Sequence, residues 1–364
     1  MKLKRLDIVQ FRNLQHLSLE VGERFNIIYG RNAQGKTNLL ESVYLLGAFK
    51  SFRLAKNADL IRWGDAGSTV RGLVERGGVT REIMITIERH AKKAAVDRKQ
   101  VVRAADFFGT LNVVLFTADE MSMAKGQPEG RRRYLDRAVF SGDPAYLSRY
   151  HDYGRILKHR NSLLKGGDLS SLDVWSDRLA DAGARLAACR TGYIAAVRGF
   201  LRDYYRQIAG DGEQVDVRYR PHGVTLEGTV PADTERLLEA LRRTAREEQR
   251  FGSTLVGPHR DDVEFLLNGR PLRQHASQGQ QRSFLLALKM AEIEYLHARF
   301  GDPPVLLLDD ISSELDRERN RNLMEFLGRN EMQVFLTTTN LDNIMLDGMT
   351  HYRTFRIHDG KVVQ

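Results

Sequence analysis

A single cysteine, Cys189, stands among 364 residues, which excludes an intrachain disulfide. It lies in Leu186-Ala187-Ala188-Cys189, an apolar stretch of helical character, and reads as a buried structural thiol of a reducing compartment rather than a nucleophile. Nowhere does the chain approach eighteen uninterrupted apolar residues, so no membrane span is expected. The opening Met1-Lys2-Leu3-Lys4-Arg5-Leu6 alternates charge and apolarity like a strand and lacks the apolar core of a secretory signal. A cytoplasmic location is expected on both counts. Internal repeats and low-complexity segments are missing as well. Acidic residues are the minority charge, 47 against 56 Lys and Arg, and the resulting net charge of +9 favours a polyanionic partner, nucleic acid before membrane. What remains is a composition with 42% hydrophobic and 28% charged residues, long enough to bury a core and form two or three subdomains.

Against this background one octapeptide stands out. Gly30-Arg31-Asn32-Ala33-Gln34-Gly35-Lys36-Thr37 fits G-x-x-x-x-G-K-[ST], a pattern that chance produces in a chain this long on the order of 1% of the time. Arg24 to Tyr29 reads as a buried strand and Thr37 to Leu46 as a helix, which is the strand-loop-helix setting the pattern requires. Loop N–H groups and the helix N-terminus then surround an anionic phosphate. Lys36 is expected to reach the β and γ phosphates, and the Thr37 hydroxyl to ligate Mg²⁺. A glycine turn before a surface lysine would share the letters but not the flanking strand and helix. The expected ligand is a nucleoside triphosphate.

The α/β pattern occupies both ends of the chain. Residues 69–90 and 95–103 alternate as a β-meander, and Leu111 to Phe116 is a further buried strand. From about Asp119 to Arg250 the pattern becomes helical, with Val215 to Gly228 reading as a hairpin within it. Strands return after Ser253, where Asn268-Gly269 is a hairpin signal, followed by a helix from about Gln278 to Arg299. Val305-Leu306-Leu307-Leu308 and Val334 to Thr337 read as buried parallel strands. The expected domains are 1–118 with 251–364 as one α/β lobe and 119–250 as an inserted, mainly helical lobe.

Two further segments carry chemistry. The strand at Val305 delivers Asp309-Asp310 at its C-terminal end, where a carboxylate suits Mg²⁺ beside a phosphate loop. Asp309 is assigned to the metal and Asp310 to polarising an attacking water. Ser277-Gln278-Gly279-Gln280-Gln281-Arg282 opens the long helix. Ser277 is a sound N-cap, but capping leaves unexplained a glycine in the first turn, which costs about 1 kcal/mol against alanine. Close approach of a phosphate or another backbone would explain it.

This hexapeptide resembles the signature motif of ABC-type ATPases, in the form it takes in the RecF family of the SMC-like branch. Gln10-Phe11-Arg12-Asn13 resembles that family's F-R-N element, and Gly30 to Asn38 its G-x-N-x-x-G-K-T-N loop. Lys125-Gly126 to Asp136, Gly257-Pro258-His259-Arg260-Asp261-Asp262, Leu306 to Asp316 and Asp359-Gly360-Lys361 agree in order. The resemblance implies a P-loop ABC-type ATPase head of mixed sheets and helices, an inserted mainly helical lobe and no long coiled coil. It implies ATP and Mg²⁺ as cofactors, with Arg12, Gly30, Asn32, Gly35, Lys36, Thr37 and Asn38 around the nucleotide. Ser277, Gly279 and Gln280 would reach the γ-phosphate held by a second copy, so ATP would join a homodimer, and hydrolysis would be slow. The customary switch histidine is replaced by Thr337-Thr338-Thr339, which passes that contact to Thr338 or Thr339. No Q-loop glutamine is evident; Phe116 to Glu120 occupies its place.

The implied function is a clamp on double-stranded, gapped or junction DNA in recombinational repair, assisting RecA loading, with RecR as a partner and RecO in the same pathway. Arg131-Arg132-Arg133, Arg137, Arg149, Arg155, Lys158, Arg160 and Lys165 form a candidate DNA track or, equally, a solvated basic face. His259 reads as ordering a turn more readily than as touching nucleotide. Among rivals, a chromosome-tethering SMC ATPase would need long heptad repeats that about 130 glycine-interrupted residues cannot supply. A transporter subunit predicts the missing histidine, and a small-molecule kinase leaves Ser277 to Gly279 unexplained.

Overall fold

Leu3, Leu6, Ile8 and Phe11, with Leu14, Leu17 and Leu19, put the apolar side chains of a hairpin, strands Lys2–Phe11 and Leu14–Glu20, on one buried face. The computed structural model describes residues 1–363 apart from 104, 105, 122, 168, 312–314, 316 and 342–350. It divides into two compact units, residues 1–121 with 292–364, and residues 122–291.

In the first unit the hairpin continues into an antiparallel sheet. Its strand order is Leu14–Glu20, Lys2–Phe11, Gly67–Arg76, Val79–Glu88, Lys92–Val96, Lys99–Gln100, so the meander forms as the alternation predicts. A second sheet runs Lys361–Val363, Tyr352–His358, Phe25–Tyr29, Val334–Thr338, Val305–Asp309, Val113–Thr117. Its last five strands are parallel, and the four from Phe25–Tyr29 to Val113–Thr117 are nearly continuous in apolar residues, as strands covered on both faces must be. The helix Lys36–Ala48 buries Leu39, Leu40, Val43, Tyr44, Leu45 and Leu46. Apolar most of the way round, it sits in one core with Leu3, Leu6 and Ile8 of the first sheet and Ile28, Leu307 and Phe335 of the second.

The parallel register decides what lies at the carboxyl edge of that sheet. Asp309 pairs with Thr337 on one side and Thr117 on the other, and Thr338 pairs with Tyr29. The phosphate-loop candidate, the Asp309 carboxylate and the threonine run therefore leave the sheet at one end, where open α/β sheets bind ligands.

The second unit contains the helices Pro128–Gly142, Tyr146–Gly166, Leu172–Ala209 and Val230–Phe251, and the first part of Gln278–Phe300. The hairpin expected over Val215 to Gly228 does not form. Val215–Arg220 pairs instead with Asp262–Leu267, placing Val215, Val217 and Tyr219 opposite Leu267, Phe265 and Val263. Pro221 ends the first strand, and only the distant strand offers its apolar face matching partners. The Asn268-Gly269 hairpin forms, closing Leu267 against Arg270.

Candidate functional site

Two glycines shape the phosphate loop. Gly30 has φ +147°, and a Cβ there would run into the carbonyl oxygen of Ile357; Gly35 has φ +115° and sits against the Asn13 amide. Immediately after Gly35 the helix begins at Lys36. The Lys36 ammonium curls back into the loop and donates to the carbonyl oxygens of Gly30 (2.6 Å) and Arg31 (2.9 Å). Burial pulls its pKa below the ordinary lysine value, while the carboxylates of Asp310 and Asp309 pull the other way.

Thr37 and Asp309, 272 positions apart in sequence, meet here: the Thr37 hydroxyl donates to Asp309 Oδ1 at 2.9 Å. Thr337, which sequence reasoning passed over, donates to the same oxygen at 2.8 Å, and its Oγ1 accepts the Asp310 N–H at 2.9 Å. Asp310 has φ +53°, a left-handed conformation uncommon for a non-glycine residue. One carboxylate and one hydroxyl, with no group of three His, Cys, Asp or Glu among the described residues, make no all-protein cage. They fit Mg²⁺, which keeps several waters and takes its other oxygens from phosphate.

The remaining candidates divide. Arg12 is turned to Glu41, donating through Nε and Nη2 at 3.0 Å each, and through Nη1 to the Asp59 carbonyl at 2.8 Å. Glu41 is fully buried and also accepts from Ser51. Asn38 donates to Asn13 Oδ1 and accepts from Arg53, so its amide is engaged inside the protein, whereas Asn32 is exposed on the loop. Thr338 is buried and its hydroxyl donates to the Asn340 carbonyl.

In the second unit Ser277 caps its helix through a reciprocal pair. Ser277 Oγ accepts the Gln280 N–H (3.2 Å), and Gln280 Oε1 accepts the Ser277 N–H (2.7 Å). The Gln280 Nε2 donates to Glu213 (2.6 Å), so this side chain builds the cap. Gly279 is half-buried and Ser277 exposed at the helix start. Ser313, Glu314 and Asp316 lie outside the described residues.

The basic track loses two members, Arg131 and Arg160, to the interior. Arg131 is buried and binds both oxygens of Asp262 (2.9 and 2.7 Å), and Arg132 donates to the Asp261 carbonyl. Arg160 is 1% exposed, paired with buried Glu248 at 2.7 Å and hydrogen-bonded to Thr254 and Ser176. Charge runs do not reveal such burial, because each arginine's acidic partner is distant in sequence. Lys158 and Lys165 remain exposed. His259 takes the structural role. Its Nε2 faces the Thr254 carbonyl (3.2 Å), which can only accept, so Nδ1 accepts from Tyr153 (2.6 Å). Burial depresses its pKa to about 4, so the ring is neutral.

Known proteins resemble the chain along its full length. The DNA replication and repair protein RecF of Geotalea uraniireducens (strain Rf4) is 54% identical over 363 residues, covering all of both chains. RecF of Geobacter sulfurreducens (strain ATCC 51573 / DSM 12127 / PCA) is 51% identical over 367 residues, covering 100% of this chain and 99% of that one. A solved structure of the recombination mediator protein RecF-ATP in the RecFOR pathway superposes with a TM-score of 0.90 at 32% identity, covering 100% of this chain and 97% of that one. The expected α/β head of mixed sheets and helices is thus the fold found. The RecF/RecN/SMC N terminal domain family matches residues 2–362, and the chain belongs to that family.

Proposed function

We propose that the chain is an ATP-dependent DNA-binding protein of recombinational repair, an ATPase that ATP closes into a homodimer on gapped or junction double-stranded DNA and that assists RecA loading onto single strands. The observation that carries the reading is the junction of Thr37 Oγ1 and Asp309 Oδ1 at 2.9 Å beside the phosphate loop. Full-length likeness to proteins named for DNA replication and repair, and to a recombination mediator protein solved with ATP, supplies the biological setting. RecR is the expected partner, with RecO in the same pathway.

Lys36 exchanges the Gly30 and Arg31 carbonyls for phosphate oxygens, a gain because the ammonium meets full negative charge in place of dipoles. The loop N–H groups and the N-terminus of the Lys36–Ala48 helix face the same anion. Thr37 and Asp309 would hold Mg²⁺, which supplies charge neutralisation at the transferring phosphoryl group. Thr337 fixes the Asp309 carboxylate by a second hydroxyl and holds the Asp310 backbone through its N–H. Asp310 polarises the water that attacks the γ-phosphorus in line as the bond to the leaving ADP oxygen breaks; positioning and charge carry the step. Ser277 and Gly279 belong to the opposite face of a partner's nucleotide, where a second helix N-terminus adds donors that one loop lacks. That makes each site composite, turnover slow, and hydrolysis the release signal.

DNA binding measured against salt, with ATP, ADP and a non-hydrolysable analogue, tests the reading on the wild-type chain and Lys36→Arg. The expected result is tight, steeply salt-dependent binding with ATP or the analogue, lost with ADP and in Lys36→Arg. Equal binding in every nucleotide state would remove the clamp.

A further inference from the structure

The outer side of the phosphate loop is gripped by groups that the nucleotide reading does not use. Gln34 stands at one of the unspecified positions of the loop pattern. Its carbonyl oxygen accepts two hydrogen bonds at 3.0 Å, one from the Asn13 side-chain amide and one from the Gly360 N–H. Its side-chain Oε1 accepts the Asp359 N–H at 2.7 Å. Asn13 is itself held, because its Oδ1 accepts from Asn38 Nδ2 at 2.8 Å and Arg53 donates to Asn38 Oδ1 at 3.0 Å. The fit leaves no spare room. A Cβ on Gly360 would collide with the Asn13 carbonyl oxygen, and one on Gly35 would come within 2.7 Å of Asn13 Oδ1. Asn13 comes from the turn after the first strand and Asp359-Gly360 from the last hairpin, so both ends of the sequence clasp the loop.

The consequence follows from peptide geometry. In a trans peptide the C=O of one residue and the N–H of the next point to opposite sides. With the Gln34 carbonyl pinned outward by two donors, the Gly35 N–H is turned to the other side, toward the cradle. Unpinned, the peptide between two such residues can rotate, since Gly35 accepts conformations closed to other residues.

We propose that Asn13 and the Asp359-Gly360 turn are positioning groups of the nucleotide site, which aim the Gly35 N–H at phosphate by holding the Gln34 carbonyl and touch no part of the ligand. The inference rests on the nucleotide reading given above and assigns a role to residues outside the loop pattern. Because the aimed group is a loop N–H, which cradles the α and β phosphates, ADP depends on it as much as ATP does.

The test is calorimetric titration of the full chain with MgATP and MgADP, together with thermal unfolding of the nucleotide-free protein. Asn13→Asp keeps the acceptor for Asn38 and loses only the donor to Gln34; Asn13→Ala loses both; Gly360→Ala displaces the turn. All three are expected to weaken ATP and ADP in parallel by about fivefold to fifteenfold, the loss of roughly one net hydrogen bond. The nucleotide-free melting temperatures of the two Asn13 variants are expected to stay within about 4 °C of wild type, whereas Gly360→Ala, whose Cβ meets a backbone oxygen at a positive φ, is expected to melt lower. If Asn13→Asp binds both nucleotides like wild type while Asn13→Ala does not, Asn13 acts only through Asn38 and the proposal fails. It fails equally if affinities fall only in step with large losses of melting temperature. A wild-type chain that binds neither nucleotide would instead remove the reading on which the inference rests.

Discussion

Replacing Thr337 by valine changes one hydroxyl for a methyl of nearly the same volume at a position 2% exposed. Two hydrogen bonds disappear. Asp309 Oδ1 loses the donor at 2.8 Å and keeps Thr37 at 2.9 Å; the Asp310 N–H loses its acceptor at 2.9 Å. A hydrogen bond to a charged group contributes about 1.5–3 kcal/mol, and a half-buried N–H left without its acceptor costs about 1–3 kcal/mol. Groups that orient a metal-holding carboxylate typically change metal affinity or activity by about 10- to 100-fold. Thr337→Val is therefore expected to lower the ATPase rate by about that factor and to raise the Mg²⁺ concentration at half-maximal rate. Thr338→Val is the control. That hydroxyl serves the Asn340 carbonyl, a neutral bond worth about 0.5–1.5 kcal/mol, so its loss is limited to about tenfold without a shift in Mg²⁺ dependence. Steady-state hydrolysis against Mg²⁺ for both variants decides. A Thr337→Val rate within twofold of wild type, or a larger loss in Thr338→Val, refutes the assignment of Thr337 to the Asp309 carboxylate.

Three other outcomes follow from the second unit. Arg160→Met strands the Glu248 carboxylate, which is 0% exposed, and should cost about 3–5 kcal/mol in chemical denaturation; the double change Arg160→Met with Glu248→Leu should recover most of it, and no recovery would show that the pair is not the cause. The unfolded-state imidazole of His259 takes up its proton near pH 6.5 and the folded one only near pH 4, so this residue makes the fold lose about 3 kcal/mol as pH falls through that window. His259→Gln should therefore melt with a flatter pH dependence between 6.5 and 4, and an unchanged profile would contradict a buried neutral ring. Lys158→Ala, an exposed position, should reduce the salt slope of DNA binding by about 1 with melting unchanged; an identical slope would take Lys158 out of the DNA contact.

What could be read in advance was what is contiguous. Gly30 to Thr37 encodes strand exit, loop and helix entry within eight residues, and four apolar residues before Asp309 announce a covered strand with a carboxylate at its end. Pairings across long stretches of chain were not legible. Val215–Arg220 has the alternation of a hairpin arm, but its partner strand begins at Asp262, beyond the Val230–Phe251 helix, and no local period specifies that register. The same blindness hid Thr337. Three threonines in a row look alike until the parallel register sets Thr337, and not Thr338, opposite Asp309. Arg131 and Arg160 looked like a solvated or DNA-facing charge run because the acids that draw them inward, Asp262 and Glu248, lie 131 and 88 positions away.

The central claim is that each nucleotide is completed by a second copy of the chain. Lys36→Arg removes the loop half of a site and Ser277→Arg the signature half. Each homodimer is then inactive, but a mixed dimer holds one intact site and one doubly altered site. Equimolar mixing of the two purified variants, assayed for ATP hydrolysis with double-stranded DNA, should restore about a quarter of the wild-type rate under random pairing. A mixture no more active than the two variants measured apart would contradict a shared site.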